Sequence, residues 1–360
     1  MLFIMIKKRF IFLAVAAGMA LAACNTLSET EDGATRSEIR ILALQRANTK
    51  SPLAGIEFPE GYDLKVSAYR NLGDYQGDGD HAADYFANVT FSRSGTVWKE
   101  AKYWPLDGSL DFLAYATAGL KDAAKGVRPT AVWGDNGIVA RKLVLTVPDN
   151  SEKFDDILYG ASNHQVYSAN GNAMVLKHAG AVVCFAADAN VEYDAVNNKG
   201  VTIDRITVDN AYYAGTLTIL NPEAAGGAGT LSATWSNLGS QKTHVAARAY
   251  GGLPCVPGES ELSGLNLSTE AADFDSHPFG NGYVILPEQT ATRFTITYTL
   301  HNGKNGDGTN LNNQMQYQYR CSGTWAKGTK TLYTINIRLT EITIDTSVEA
   351  WQSGTPVISQ

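Results

Sequence analysis

Charge is scarce in this chain, and its basic residues form a block in one place only. Of 360 residues 18% are charged, the formal net charge is -7, and only Lys7, Lys8 and Arg9 sit together as a basic cluster. Recognition of a phosphate backbone needs clustered Lys and Arg, so a nucleic-acid partner is excluded. Catalytic signatures are missing as well. His81, His164, His178, His244, His277 and His301 are scattered, with no H-E-x-x-H pair. There is no C-x-x-C, no G-x-S-x-G elbow, and no Walker or dinucleotide glycine motif. The chain reads as a non-enzyme without a cofactor. Nor does any window hold a helical period over three turns.

Cysteine is rare too: Cys24, Cys184, Cys255 and Cys321. The first belongs to the N-terminal signal. Lys7 to Arg9 form its positive region, and Phe10 to Ala20 an apolar stretch too short to span a bilayer comfortably. It closes on Leu21-Ala22-Ala23-Cys24, small residues before a cysteine, which look like a bacterial lipobox. That motif implies a diacylglycerol thioether on Cys24 and removal of residues 1–23. The remaining balance is 26 minus 36, or -10. More than one acyl chain anchors stably where a single one does not. Glu29, Glu31 and Asp32 follow at once, a polar tether that also resembles the acidic export tag of surface lipoproteins. Three cysteines are left, and an odd number excludes a complete disulfide framework. Cys184, within "AGAVVCFAAD", is expected in the core; pairing of Cys255 with Cys321 stays open.

What the chain has in quantity is short apolar segments. "DLKVSAYR", "ANVTFSR", "LDFLAYA", "RKLVLTV", "AVVCFAA", "GVTIDRITV", "GTLTIL", "GYVILP", "RFTITYTL" and "LYTINIRL" are β-branched or aromatic and bounded by turn residues. In "RFTITYTL", Phe294, Ile296, Tyr298 and Leu300 share one face, the period of a half-buried strand. The fold is expected to be mainly β, as two sandwiches in tandem. The expected division is a signal at 1–23, a tether and first strand at 24–50, and sandwiches at 51–172 and 173–360. Near the end, Tyr333, Ile335, Ile337 and Leu339 share odd parity, whereas Ile342 and Ile344 are even. The buried face therefore flips, and a bulge or break is expected near Thr340 and Glu341, making the segment beyond a separate strand.

Two further groups invite a functional reading. Asp74, Asp78, Asp80 and Asp84 crowd one loop, and calcium takes about six to eight oxygen ligands. The spacing is not that of an EF-hand, and Asp with Gly is also ordinary turn chemistry. Trp98, Trp104 and Trp133 would stack on a glycan if exposed, or pack in a core. Residues 38–50, "EIRILALQRANTK", carry Ile39, Ile41, Leu42 and Leu44 among arginines. They read either as a permanent edge strand with a linker or as a strand made to be removed.

The segments "KYWPLDGSLDFLAYA", "DDILYGASNHQV" with "MVLKHAGAVVCF", "YVILPEQTATRFTITYTL" and "YTINIRLTEITIDTSVEAWQSG" resemble, in order, stretches of the fimbrillin family. They span about residues 60 to 355 and accompany the lipobox. The sequence departs in "LKHAGAVVC", where many members continue with Leu-Ser after the His-Ala. The resemblance implies two transthyretin-like sandwiches, carried to the outer membrane through lipid on Cys24. It implies an arginine-specific cut that frees the N-terminal strand, and a groove filled by a neighbouring subunit's strand. Cleavage is expected between Arg46 and Ala47, with Arg36 and Arg40 as weaker sites. The donor-type strand carries Ile342, Ile344, Val348 and Trp351. The implied partners are other pilin subunits, with a host protein or glycan as further ligand. The alternative is a monomeric surface lipoprotein that binds glycan through the tryptophans.

Overall fold

The computed structural model describes residues 37–45, 62–71, 85–121, 128–135, 141–149, 156–189, 192–222, 230–254, 260–261, 283–338 and 341–350. The described residues are almost wholly β. Seven strands close a ring in the order β1 (Glu38–Gln45), β4 (Val97–Tyr103), β3 (Phe86–Ser94), β2 (Leu64–Asn71), β5 (Ser109–Ala116), β8 (Leu158–Gln165) and β9 (Asn172–His178). A four-stranded sheet runs β13 (Ser232–Ser236), β12 (Gly215–Asn221), β7 (Arg141–Val147), β6 (Thr130–Asp135). Another runs β14 (Gln241–Pro254), β11 (Lys199–Tyr212), β18 (Arg293–Lys304), β19 (Asn310–Arg320).

A five-stranded sheet places β15 (Ser260–Glu261) and β16 (Tyr283–Pro287) beside β10 (Gly180–Ala189), then β21 (Thr329–Ile337) and β22 (Ile342–Ala350). A small pair, β17 (Gln289–Thr290) with β20 (Thr324–Trp325), and one short helix, α1 (Ala118–Lys121), complete the described elements.

The period-two pattern sorts the side chains. Phe294, Ile296 and Tyr298 of β18 are buried as their alternation predicts, and Leu300 is half-buried. Segments with continuous apolar runs bury both faces. In β5, Leu110, Phe112 and Ala114 fill the ring, while Leu113 and Tyr115 face a second core. β10 does the same: Val183, Phe185 and Ala187 join that core, and Val182 and Cys184 pack on the opposite side. The second core also takes Leu143, Leu145 and Val147 from β7 and Leu217 and Ile219 from β12. Strands β6 and β7, which precede the boundary expected near Asn172, thus share a sheet with β12 and β13, which follow it. Asn163 of β8 and Asn221 of β12 join ring and sheet by reciprocal amide hydrogen bonds of 3.1 and 2.8 Å.

Cys184 is fully buried, as expected. Cys321 is a free buried thiol, and burial pushes it up to about 11, so it is chemically quiet. Cys255 lies outside the described residues.

His244 of β14 is buried beside the Tyr213 ring, with Nε2 donating to the Ala211 carbonyl at 3.1 Å. Burial pulls its pKa from 6.5 down to about 4. The unfolded imidazole therefore binds a proton through a range in which the folded one does not. Stability is complete above about 6.5 and is lost as pH falls towards 4, by roughly 3 kcal/mol at most. Urea titrations at pH 7 and pH 4.5 should show this drop, and His244→Asn should shrink it.

A candidate assembly site around the first strand

The alternation of "EIRILALQ" puts Ile39, Ile41 and Ala43 on one face, and all three are buried, at 0%, 1% and 6% exposure. They enter the ring's core with Leu64, Phe91, Trp98 and Phe112. Leu42 lies half-buried on the opposite face. β1 pairs antiparallel with β4, Arg40 opposite Lys99 and Ile41 opposite Trp98. On its other side it pairs parallel with β9, from Ile41 opposite Asn172 to Gln45 opposite Leu176. It is therefore not an edge strand. It is the stave that closes the ring, and both its neighbours come from far downstream.

Local chemistry prepares the slot. Asn172 donates to Gln165 Oε1 at 2.9 Å and to the Val166 carbonyl at 3.0 Å, which pins the start of β9. Gly171, at φ +89°, lies where a Cβ would come within 3.2 Å of the Arg40 carbonyl and 3.4 Å of Leu42. Its lack of a side chain lets β1 close in. At the surface, Glu38 sits 3.5 Å from Arg40 and 3.7 Å from Lys99.

The candidate cleavage points fall around this strand. Arg40 lies within it, paired with Lys99 of β4 and followed by Ile41, which is paired on both sides, so its peptide bond is kept out of the extended cleft of a protease. Arg36, Arg46 and Ala47 lie outside the described residues, as do Cys24 and the Asp74, Asp78, Asp80 and Asp84 loop. Among the described residues no group of three or more His, Cys, Asp or Glu could hold a metal ion.

The C-terminal strand has the opposite character. Among the described residues β22 pairs with β21 alone, through nine positions from Ile337 opposite Ile342 to Thr329 opposite Ala350. The parity flip foreseen near Thr340 is thus the break of a hairpin turn: Arg338 N–H donates to the Glu341 carbonyl at 2.9 Å. Facing residues keep their isoleucines on one side, Ile335 against Ile344. Ile342 and Ile344 are half-buried, whereas Val348 is 64% exposed. Lys330 reaches Glu349 at 3.7 Å and Asn336 donates to Asp345 at 2.8 Å across the pair. Trp351 lies beyond the described residues.

The tryptophans are not a platform. Trp98 and Trp104 are buried at 2% and 5% exposure, Trp98 donating to the Tyr62 carbonyl at 3.2 Å. Trp133 is half-buried against Tyr115.

A family model described as fimbrillin-like matches residues 57–351. The chain belongs to the fimbrillin-like family. Fimbrillins are structural proteins, so this chain is a pilus subunit or adhesin of the cell surface, associates with other pilin subunits, and is not an enzyme. Among solved structures, this fimbrillin is similar to a fimbrial protein from Bacteroides vulgatus at 13% identity and a TM-score of 0.56. That match covers 88% of this chain and all of the other, a likeness of fold alone. A candidate cell adhesion protein from Bacteroides uniformis aligns at 18% identity and a TM-score of 0.45, over 88% of this chain and 99% of its own. The tip fimbrial protein Mfa3 from Porphyromonas gingivalis aligns at 10% identity and a TM-score of 0.30, over 88% and 100%. No curated protein matches the chain.

Proposed function

We propose that this fimbrillin is exported as an outer-membrane lipoprotein on Cys24, with Glu29, Glu31 and Asp32 as its export tag, and polymerises by strand exchange. The position of β1 carries the reading. A strand that precedes every other described strand in sequence, yet is buried between β4 and β9, can be removed by one cut without severing any of them. Cutting between Arg46 and Ala47 releases all of β1. It bares an apolar slot and two unpaired edges, a strong drive to association.

The donor proposed is β22, through Ile342, Ile344, Val348 and Trp351. Its Ile342-x-Ile344 spacing reproduces Ile39-x-Ile41, so the same pockets fit the same branched side chains. β22 has one ladder where it lies now, and the slot offers two. The contact joins unlike surfaces and so propagates head to tail into a filament. Two tandem transthyretin-like sandwiches, divided near Asn172, belong to this proposal; β9 is then the strand that the first unit takes from just beyond the division, and β6 and β7 are the strands that it lends to the sheet of β12 and β13.

The test is N-terminal sequencing of the protein recovered from the cell surface, together with Arg46→Ala. The expected new terminus is Ala47, and the Arg46→Ala chain should stay uncut and unpolymerised. Polymers forming unchanged from Arg46→Ala would refute cleavage at this site.

A further inference from the structure

Sheet edges in soluble proteins are kept short, charged, bulged or interrupted by proline, because an open edge templates pairing with another chain. Several edges here follow that rule. β13 has five residues, β6 has six, and β22 displays Asp345 and Glu349. β19 breaks it. Among the described residues this eleven-residue strand, "NLNNQMQYQYR", forms a ladder with β18 alone, and that ladder from Arg320 to Asn312 carries no bulge. It holds no proline or glycine, and no charge before Arg320. Asn310 to Gln316 are all exposed, among them Leu311 at 42% and Met315 at 39%.

We propose that β19 pairs with the β19 of a second copy, antiparallel, about a two-fold axis at Met315. The occupant follows from self-complementarity. In that register Gln316 faces Gln314 of the second copy, and Gln318 faces Asn312. Tyr319 covers Leu311, and the two Met315 side chains meet. Each Arg320 lies opposite an Asn310, so the two arginines sit at opposite ends and do not repel. Amides thus face amides on one side of the joined sheet, and on the other Leu311, Met315 and Tyr319 meet apolar partners while Asn313 lies opposite Tyr317, the alternation that strand geometry requires. Sliding the register by two residues puts Leu311 opposite residue 321 and Met315 opposite Tyr317, or Leu311 opposite Tyr317 and Met315 opposite Asn313, and either way the Met315 pair is lost.

The pairing is isologous and lateral, unlike a head-to-tail contact, and does not depend on whether β1 is exchanged. One strand ladder falls short of the ~1,600 Å² of a standard interface, so free subunits pair weakly and repetition along a filament strengthens the contact.

Site-directed cross-linking of the uncut full chain tests this. Met315→Cys should give a disulfide-linked dimer on mild oxidation, well above the background of the parent's native cysteines. Leu311→Cys alone should not, because its partner position is Tyr319; the Leu311→Cys/Tyr319→Cys double variant should restore the dimer. Met315→Lys, which sets two ammonium groups face to face, should weaken association in sedimentation equilibrium by about tenfold. The proposal is overturned if Met315→Cys cross-links no more than the parent, or if Leu311→Cys alone cross-links as readily.

Discussion

Replacing Ile344 with aspartate should abolish polymer growth while leaving the subunit folded. The contrast rests on two environments for one side chain. In the subunit Ile344 is half-buried on a strand paired on one side, where a carboxylate can turn towards water. In the slot it would take a place like that of Ile41, at 1% exposure within the ring's core. A carboxylate forced there costs several kcal/mol, and at about 1.4 kcal/mol per decade the subunit contact weakens by more than a hundredfold. Light scattering of protease-treated chains reads the polymer, and a melt of the uncut chain reads the fold. Growth at the parent's rate would remove β22 from the donor role.

Ile41→Ala should give the mirror image. Truncating an isoleucine at 1% exposure leaves a cavity against Trp98, and the uncut chain loses about 2–5 kcal/mol. On the proposed strand exchange the polymer should not notice, because a cut that removes β1 precedes its formation. Denaturant unfolding of the uncut chain should shift to a lower midpoint, while finished filaments of variant and parent should melt together. If the filaments are destabilised as well, β1 is a permanent part of the subunit and the exchange reading fails.

Much of this was legible in the residues. The burial of Phe294, Ile296 and Tyr298 follows from alternation alone, and Cys184 from its apolar run. The switch of parity after Leu339 announced a break and a separate strand, though not that β22 folds back on β21. Other features were not legible. Trp98, Trp104 and Trp133 carry the same composition signal whether they coat a surface or fill a core, and only packing put the first two inside. The isoleucines of "EIRILALQ" suggested a strand, but not that it has two partners.

The sequence by itself determined the class of fold, the faces of its strands and, through ordered stretches across residues 57–351, the family. Side-chain alternation is a local property, written within a few residues of each strand. Tertiary structure decided who pairs with whom. Ile41 meets Trp98 on one side and, 131 positions along the chain, Asn172 on the other. Backbone hydrogen bonds join N–H to carbonyl whatever the side chains, so a ladder leaves little trace in either strand. That is why the chain's first strand could be recognised as apolar from sequence, and as the closing stave of a ring only from the fold.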